Sequence, residues 1–161
     1  VNSEVATITN IDVTDFNEEL IATISVTGNG NYEYSLDGNI FQSSPVFNLL
    51  EDGEYTVYVN DINNCGVVFE SFYALSYPKF FTPNGDNYND TWYIKNLDKK
   101  GLENSIIYIF DRLGKLIKQV KADGAGWNGT FNGNQLSSSD YWFVLELTNG
   151  KTVKGHFSLK R

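Results

Sequence analysis

Tyr141-Trp142-Phe143-Val144-Leu145-Glu146-Leu147-Thr148-Asn149-Gly150-Lys151-Thr152-Val153-Lys154-Gly155-His156-Phe157-Ser158-Leu159 is the stretch on which the fold turns. Two strand-like runs, rich in aromatic and β-branched residues, flank Asn149-Gly150. That dipeptide is the strongest short hairpin signal, because a type I′ turn needs positive φ at both central residues. The spacing therefore predicts that residues 141–148 and 152–159 pair as antiparallel strands. Upstream, strands are predicted at 91–95, 105–111 and 116–121, and residues 97–103 have room for a turn of helix. Ile106–Phe110 and much of 141–145 are apolar on both faces. One face packs inward, so the other is covered or is a binding surface.

The same period of two runs through residues 1–77. Leu20, Ala22, Ile24 and Val26 alternate with more polar neighbours, as do Tyr55, Val57 and Val59. Gly28-Asn29-Gly30, Asp37-Gly38 and Asp52-Gly53 punctuate these runs as turn signals, the pattern of a β-sandwich. Leu49-Leu50-Glu51-Asp52-Gly53-Glu54-Tyr55 is similar to the corner of immunoglobulin-like domains, where a tyrosine at a strand start ties its hydroxyl back to the chain. The fold expected is all-β, two tandem immunoglobulin-like antiparallel β-sandwich domains.

Charge locates the division between them. Residues 1–78 of the 161 hold 12 acids and no Lys or Arg, whereas residues 79–161 hold 12 bases against 8 acids, a net +4. A switch that abrupt, beside Tyr77-Pro78, predicts domains at 1–77 and 78–161. The acidic half repels nucleic acid and anionic membrane, and neither is expected as a partner. No apolar run approaches the ~18 residues of a membrane-spanning helix, so no membrane insertion is expected. The absence of methionine points to a piece of a longer chain whose N-terminal region held a signal peptide. A lone Cys65 permits no internal disulfide and is expected to be small and partly buried. A lone His156, inside a strand-like run, builds no multi-histidine metal site, and a structural or surface role is expected of it.

Five ordered blocks then carry a family resemblance: Lys79-Phe80-Phe81-Thr82-Pro83-Asn84-Gly85-Asp86-Asn87-Tyr88-Asn89-Asp90-Thr91-Trp92; Ile109-Phe110-Asp111-Arg112-Leu113-Gly114-Lys115; Gly126-Trp127-Asn128-Gly129-Thr130; Ser138-Ser139-Asp140-Tyr141-Trp142-Phe143; and Lys154-Gly155-His156-Phe157-Ser158-Leu159-Lys160-Arg161. Residues 78–161 resemble the gliding-motility-associated C-terminal domain, the type B sorting domain of the Bacteroidetes type IX secretion system. The resemblance implies a folded export signal recognised by the type IX machinery, including a PorP/SprF-like outer-membrane β-barrel protein. It implies passage through the periplasm to the cell surface or medium, with no enzymatic chemistry, and a chain ending at Arg161. Asn87 stands where the family often has Gly, and Asn tolerates the positive φ of such a loop. Residues 1–77 resemble, on Tyr32-Glu33-Tyr34-Ser35-Leu36-Asp37-Gly38 and Gly53-Glu54-Tyr55-Thr56-Val57-Tyr58-Val59, the repeats of SprB-type surface adhesins. Those repeats often carry two cysteines where this chain has one. The whole is expected to be a monomer.

Several features carry a second reading. Asn84, Asp86 and Asp90 are spaced either for a calcium loop or for a self-bonded Asx-rich turn. The turn is favoured because Thr82 and Tyr93 stand where an EF-hand places acidic ligands. Trp92, Trp127 and Trp142 are expected in the core, the alternative being an outward row that stacks on sugars and makes the chain a carbohydrate-binding or adhesive module. Lys95, Lys99, Lys100, Lys115, Lys118 and Lys121 form either a basic face or a scatter of solvated lysines. A hydrolase would need carboxylates flanking a cleft, and Asp86 and Asp90 share one loop instead. No catalytic residue and no cofactor is expected, calcium at Asn84, Asp86 and Asp90 being the alternative.

Overall fold

A computed structural model describes residues 2–161, so Val1 lies outside it. The chain is all-β and divides into two compact units, Val1–Ser76 and Tyr77–Arg161. Among the described residues no helix is long and apolar enough to cross a membrane.

The first unit holds β1 (Thr7–Val13), β2 (Leu20–Thr27), β3 (Tyr32–Ser35), β4 (Val46–Leu49), β5 (Gly53–Asp61) and β6 (Val67–Ala74). They form two antiparallel sheets, β1-β2-β4 and β3-β5-β6. Strand alternation sends Leu20, Ala22 and Ile24 of one sheet and Val57, Val59 and Phe72 of the other into a shared core. Each of these side chains larger than Ala22 contributes about 1.5–3 kcal/mol by leaving water. At the β4–β5 corner the Tyr55 hydroxyl donates to the Glu51 carbonyl at 2.8 Å. Asp61 is fully buried and accepts from the Ser3 hydroxyl at 2.7 Å and from the amides of Asn31 and Cys65. Cys65 is exposed rather than partly buried: it ends a turn at the surface, where its thiol donates to the Ser3 carbonyl and the Asp61 carboxylate raises its pKa.

The second unit holds β7 (Phe80–Phe81), a 3-10 helix (Asp98–Lys100), β8 (Ile106–Phe110), β9 (Leu116–Lys121), β10 (Thr130–Phe131), β11 (Asn134–Gln135), β12 (Ser139–Glu146) and β13 (Thr152–Leu159). Its main sheet runs β7-β13-β12-β8-β9, and β10-β11 form a separate small hairpin. All pairings are antiparallel except β7 with β13, which is parallel. Buried side chains from chain without regular strands, among them Trp92, Ile94, Leu97 and Trp127, cover the inner face of this sheet.

Three sequence expectations change here. Residues 91–95 form no strand; Trp92 makes a single bridge to Trp127, with N–H···O bonds of 2.8 and 2.9 Å in both directions. Asn89 and Asn96 take left-handed φ of 55° and 62° on either side, which leaves too little extended chain for a ladder. Residues in the last hairpin pair as expected, from Glu146 opposite Thr152 to Ser139 opposite Leu159. Its turn is not type I′, however: Leu147 closes onto Lys151 and only Gly150 has positive φ, at 87°. Asn149 instead accepts from the Lys151 amide through its side chain, an Asx arrangement that a three-residue connection permits. Trp92 and Trp127 are buried at 0 and 1% exposure, but Trp142 is 43% exposed, because the alternation that buries Tyr141 and Phe143 turns it outward.

Candidate functional site

The first block folds as a loop organised by Asp90. Its Oδ1 accepts from the amides of Asn84 and Gly85 at 2.9 and 2.8 Å, and its Oδ2 from that of Asn87 at 2.8 Å. Asn84 Oδ1 accepts from the Asp86 amide, and Asp86 Oδ1 from the Tyr88 amide. Gly85, Asn87 and Asn89 supply the left-handed turns, and the Thr82 amide closes the loop on the Asn89 carbonyl at 2.8 Å. The oxygens of Asn84, Asp86 and Asp90 are thus directed at the loop's own donors. Among the described residues no group of three or more His, Cys, Asp or Glu converges on a common point.

Behind the loop lies an aromatic cluster drawn from four of the five blocks. Phe157 stacks on Trp92 with ring centroids 4.1 Å apart and also meets Phe81, Trp127, Tyr141 and Phe143. Trp92 Nε1 donates to the Pro78 carbonyl and Trp127 Nε1 to the Thr130 carbonyl, each at 2.9 Å, so both buried indoles are satisfied. Gly126 has φ of 79°, and a Cβ there would lie 2.6 Å from the Trp92 carbonyl oxygen. Gly155 lets Tyr77 and Phe143 close over β13.

Arg161 joins what the sequence keeps apart. Its Nη1 donates to Pro83 at 2.8 Å, Nη2 to Gly129 at 3.2 Å and Nε to Leu136 at 2.9 Å, all backbone carbonyls, while its own amide donates to Ser138 Oγ at 2.8 Å. A planar guanidinium with five fixed donors suits three acceptors from three directions, where a lysine ammonium does not. Gly129 keeps the approach open, since a Cβ there would meet Arg161 and Leu159 at 3.1 and 2.7 Å. The neighbouring Lys160 sets its Nζ 4.5 Å from the centre of the Phe80 ring. Replacing Arg161 with alanine is expected to lower the stability of this unit by about 2 kcal/mol, the scale of charge-assisted hydrogen bonds partly open to solvent. Hydrogen exchange, accelerated in the loops around Pro83 and Gly129, is the check.

The remaining block residues serve local structure or reach solvent. Asp111 Oδ1 accepts from the amides of Leu113 and Lys115 at 2.9 Å, and Gly114, at φ 80°, completes the β8–β9 turn that presents Arg112 and Leu113. Asp140 accepts from the Ser158 hydroxyl across the β12–β13 pair. Tyr141 donates to the Ser137 carbonyl at 3.2 Å, the same reach of four residues as Tyr55 to Glu51. Phe110 and Trp142 face outward, with His156 beside the indole. The six lysines are spread over different elements: Lys99 pairs with Asp98 at 3.4 Å, Lys115 lies over Phe131, and Lys118 and Lys121 are on β9. The sequence reading missed Pro78, Leu136 and Ser137, which act through backbone carbonyls and carry no side-chain signal.

Three carboxyls are held below the usual carboxylate range. For Asp37 the causes are the Ile40 and Asn39 amides and the Ser35 hydroxyl. At Asp61 burial opposes ionisation, but Ser3, Cys65 and Asn31 outweigh it. At Asp90 the Gly85 amide leads, and with Asn87 and Asn84 it overcomes burial. A folded value below the unfolded ~3.9 gives stability that is complete above that value and lost as pH falls through the folded one. Both units are therefore expected to be insensitive to pH from neutrality to about 5 and to weaken below about 4. Acid titration of tryptophan fluorescence reports the second unit, since all three tryptophans lie there. Asp90→Asn should flatten its acid limb.

Residues 75–159, more than half the chain, match the CHU_C type IX secretion signal domain. No curated protein matches the chain. Among solved structures it is similar to PorZ, described as an essential bacterial surface component of the type IX secretion system of Porphyromonas gingivalis, at 19% identity and TM-score 0.40, over 97% of this chain and 23% of that one. It is also similar to the BSP domain of a biofilm associated protein, at 13% identity and TM-score 0.35, over 95% of this chain and 29% of that one. Dimeric latent PorU from Porphyromonas gingivalis is similar at 14% identity and TM-score 0.30, over 96% and 20%. The chain spans less than a third of the length of each of these. On the match over residues 75–159, the chain belongs to the CHU_C type IX secretion signal domain family.

Proposed function

We propose that the second unit acts as a folded export signal read by shape, and that the chain is the C-terminal part of a large cell-surface adhesin of the gliding-motility type. Membership of the secretion signal family makes this a type IX cargo and implies export across the outer membrane. The observation that carries the rest is convergence. Blocks containing Pro83, Gly129 and Ser138 meet at Arg161, the first two at its guanidinium and the third at its backbone amide, so a receptor that reads them reads a folded surface and not a linear tag. A PorP/SprF-like outer-membrane β-barrel protein is the receptor we infer.

The first unit is read as an adhesin-repeat-like stalk module of immunoglobulin type. Its two three-stranded sheets and the Tyr55 corner support that, and the matching Tyr141 corner supports the same ancestry of form for the second unit. No enzymatic activity, no cofactor including calcium, and a monomeric chain complete the proposal. The test places a Sec signal peptide and a reporter protein ahead of the full chain in a type IX host. The reporter is expected outside the cell or on its surface; accumulation in the periplasm, with the secretion machinery intact, refutes the export role.

A second reading, carbohydrate binding, is favoured by one observation: Trp142 and Tyr108 both face outward from the main sheet. Binding of the purified chain to immobilised glycans, lost in Trp142→Ala, would establish it.

A further inference from the structure

The main sheet of the second unit has two faces, and its own chain fills only one. On the other, Ile106, Tyr108 and Phe110 of β8 lie beside Trp142 and Val144 of β12, with Trp142 opposite Phe110 and Val144 opposite Tyr108. Leu116 of β9 extends the row from Phe110. None of these six side chains is buried, and Trp142 and Leu116 are 43 and 48% exposed. Single exposed apolar residues are ordinary, but a patch continuous across three strands marks an interaction site. Strand alternation alone makes Tyr108 and Val144 outward, so nothing in folding requires them to be apolar.

We propose that this face is the docking surface for a protein partner whose contact area is apolar at its centre and edged with carboxylates. The composition fits a protein interface, with aromatic and aliphatic groups at the middle and polar groups at the rim. Charge selects the partner. Lys121 lies opposite Ile106 and Lys154 opposite Val144 in the register, and Lys160 rests on Phe80 at the far edge. The acids on the face are Asp140, which accepts the Ser158 hydroxyl, and Glu146 beside Thr152. Three lysines against these two carboxylates leave the face net cationic, on a half of the chain with net +4. The proposal rests on the sorting role, because the partner is the component of the export machinery that reads this unit.

The test uses the full chain behind a Sec signal peptide and a reporter in a type IX host, in three forms. One is unaltered, one carries Tyr108→Thr with Trp142→Thr, and one carries Lys121→Glu, Lys154→Glu and Lys160→Glu. Threonine keeps strand propensity, and unchanged thermal unfolding of the purified chains verifies that the fold is kept. Should the threonine pair unfold the unit, the lysine set alone decides. Both variants are expected to reduce export by about tenfold or more, the consequence of losing central anchors or reversing interface charge. Leu50→Ser, which removes an even more exposed apolar side chain from the first unit, should leave export unchanged. Folded face variants exported like the unaltered chain overturn this inference and leave the sorting role standing. Retention of the unaltered chain overturns the sorting role and this inference with it. Binding of the unaltered chain to phosphatidylglycerol vesicles that the face variants lose would assign the patch to a membrane surface instead, and overturn a protein partner.

Discussion

Phe157→Ala is expected to destabilise the second unit by about 3–5 kcal/mol, the cost of removing a fully buried aromatic ring and leaving a cavity. The ring is at 0% exposure on β13 and is the common neighbour of Trp92, Trp127, Phe81, Tyr141 and Phe143. Those neighbours are held elsewhere: Trp92 and Trp127 by indole hydrogen bonds to Pro78 and Thr130, Phe81 and Tyr141 by strand pairing. They cannot collapse far into the space, which places the cost toward the upper end of the range. Domains of this size have about 5–15 kcal/mol in total. The substitution therefore removes a large part of the unit's stability, and export is expected to fall with it. Denaturant unfolding followed by tryptophan fluorescence measures the effect on the second unit alone, since Trp92, Trp127 and Trp142 all belong to it. A loss below about 1 kcal/mol would contradict the packing described.

Gly126→Ala is the other substitution with a large expected effect, about 3 kcal/mol. Two causes add. An L-residue at φ 79° costs about 1 kcal/mol, and its Cβ would lie 2.6 Å from the Trp92 carbonyl oxygen, where no real Cβ sits. Relief requires parting the Trp92–Trp127 bridge, so both of its hydrogen bonds and the burial of two indoles are at stake. Gly85 provides the contrast. It has a similar φ of 81° with nothing within 4 Å of the added Cβ, so Gly85→Ala should cost only the conformational ~1 kcal/mol. Gly85→Asn should cost less still, since this chain already uses asparagine at positive φ at Asn64, Asn87, Asn89, Asn96 and Asn132. Gly126→Asn should remain as damaging as alanine, because the collision is with its Cβ. Equal effects at the two glycines would show that conformation, not crowding, governs Gly126.

Much of this was legible in the chain. Strand alternation placed β2 and β5, runs rich in aromatic and β-branched residues placed β8, β9, β12 and β13, and the pairing of the last two strands followed from the turn between them. Tyr55 announced its corner, but Tyr141 did not, although Ser138-Ser139-Asp140-Tyr141 repeats the spacing of Asp52-Gly53-Glu54-Tyr55. The family blocks drew attention to these residues without telling which were structural. Of the tryptophans, Trp92 and Trp127 are core and Trp142 is not, a difference set by which side of a strand each occupies.

The sequence by itself determined the β-class, the acidic and basic halves and the identity of the export signal, because alternation, formal charge and short motifs are local properties. Only the tertiary structure decided that Arg161 closes on Pro83, 78 residues away, and on Gly129 and Leu136. Its acceptors are backbone carbonyls, which every residue carries, so no pattern of side chains could point to them. The same holds for the Gly126 crowding and the open aromatic face. Each depends on which segments the fold brings within a few ångströms, and that is fixed by packing of the whole unit rather than by any stretch of it.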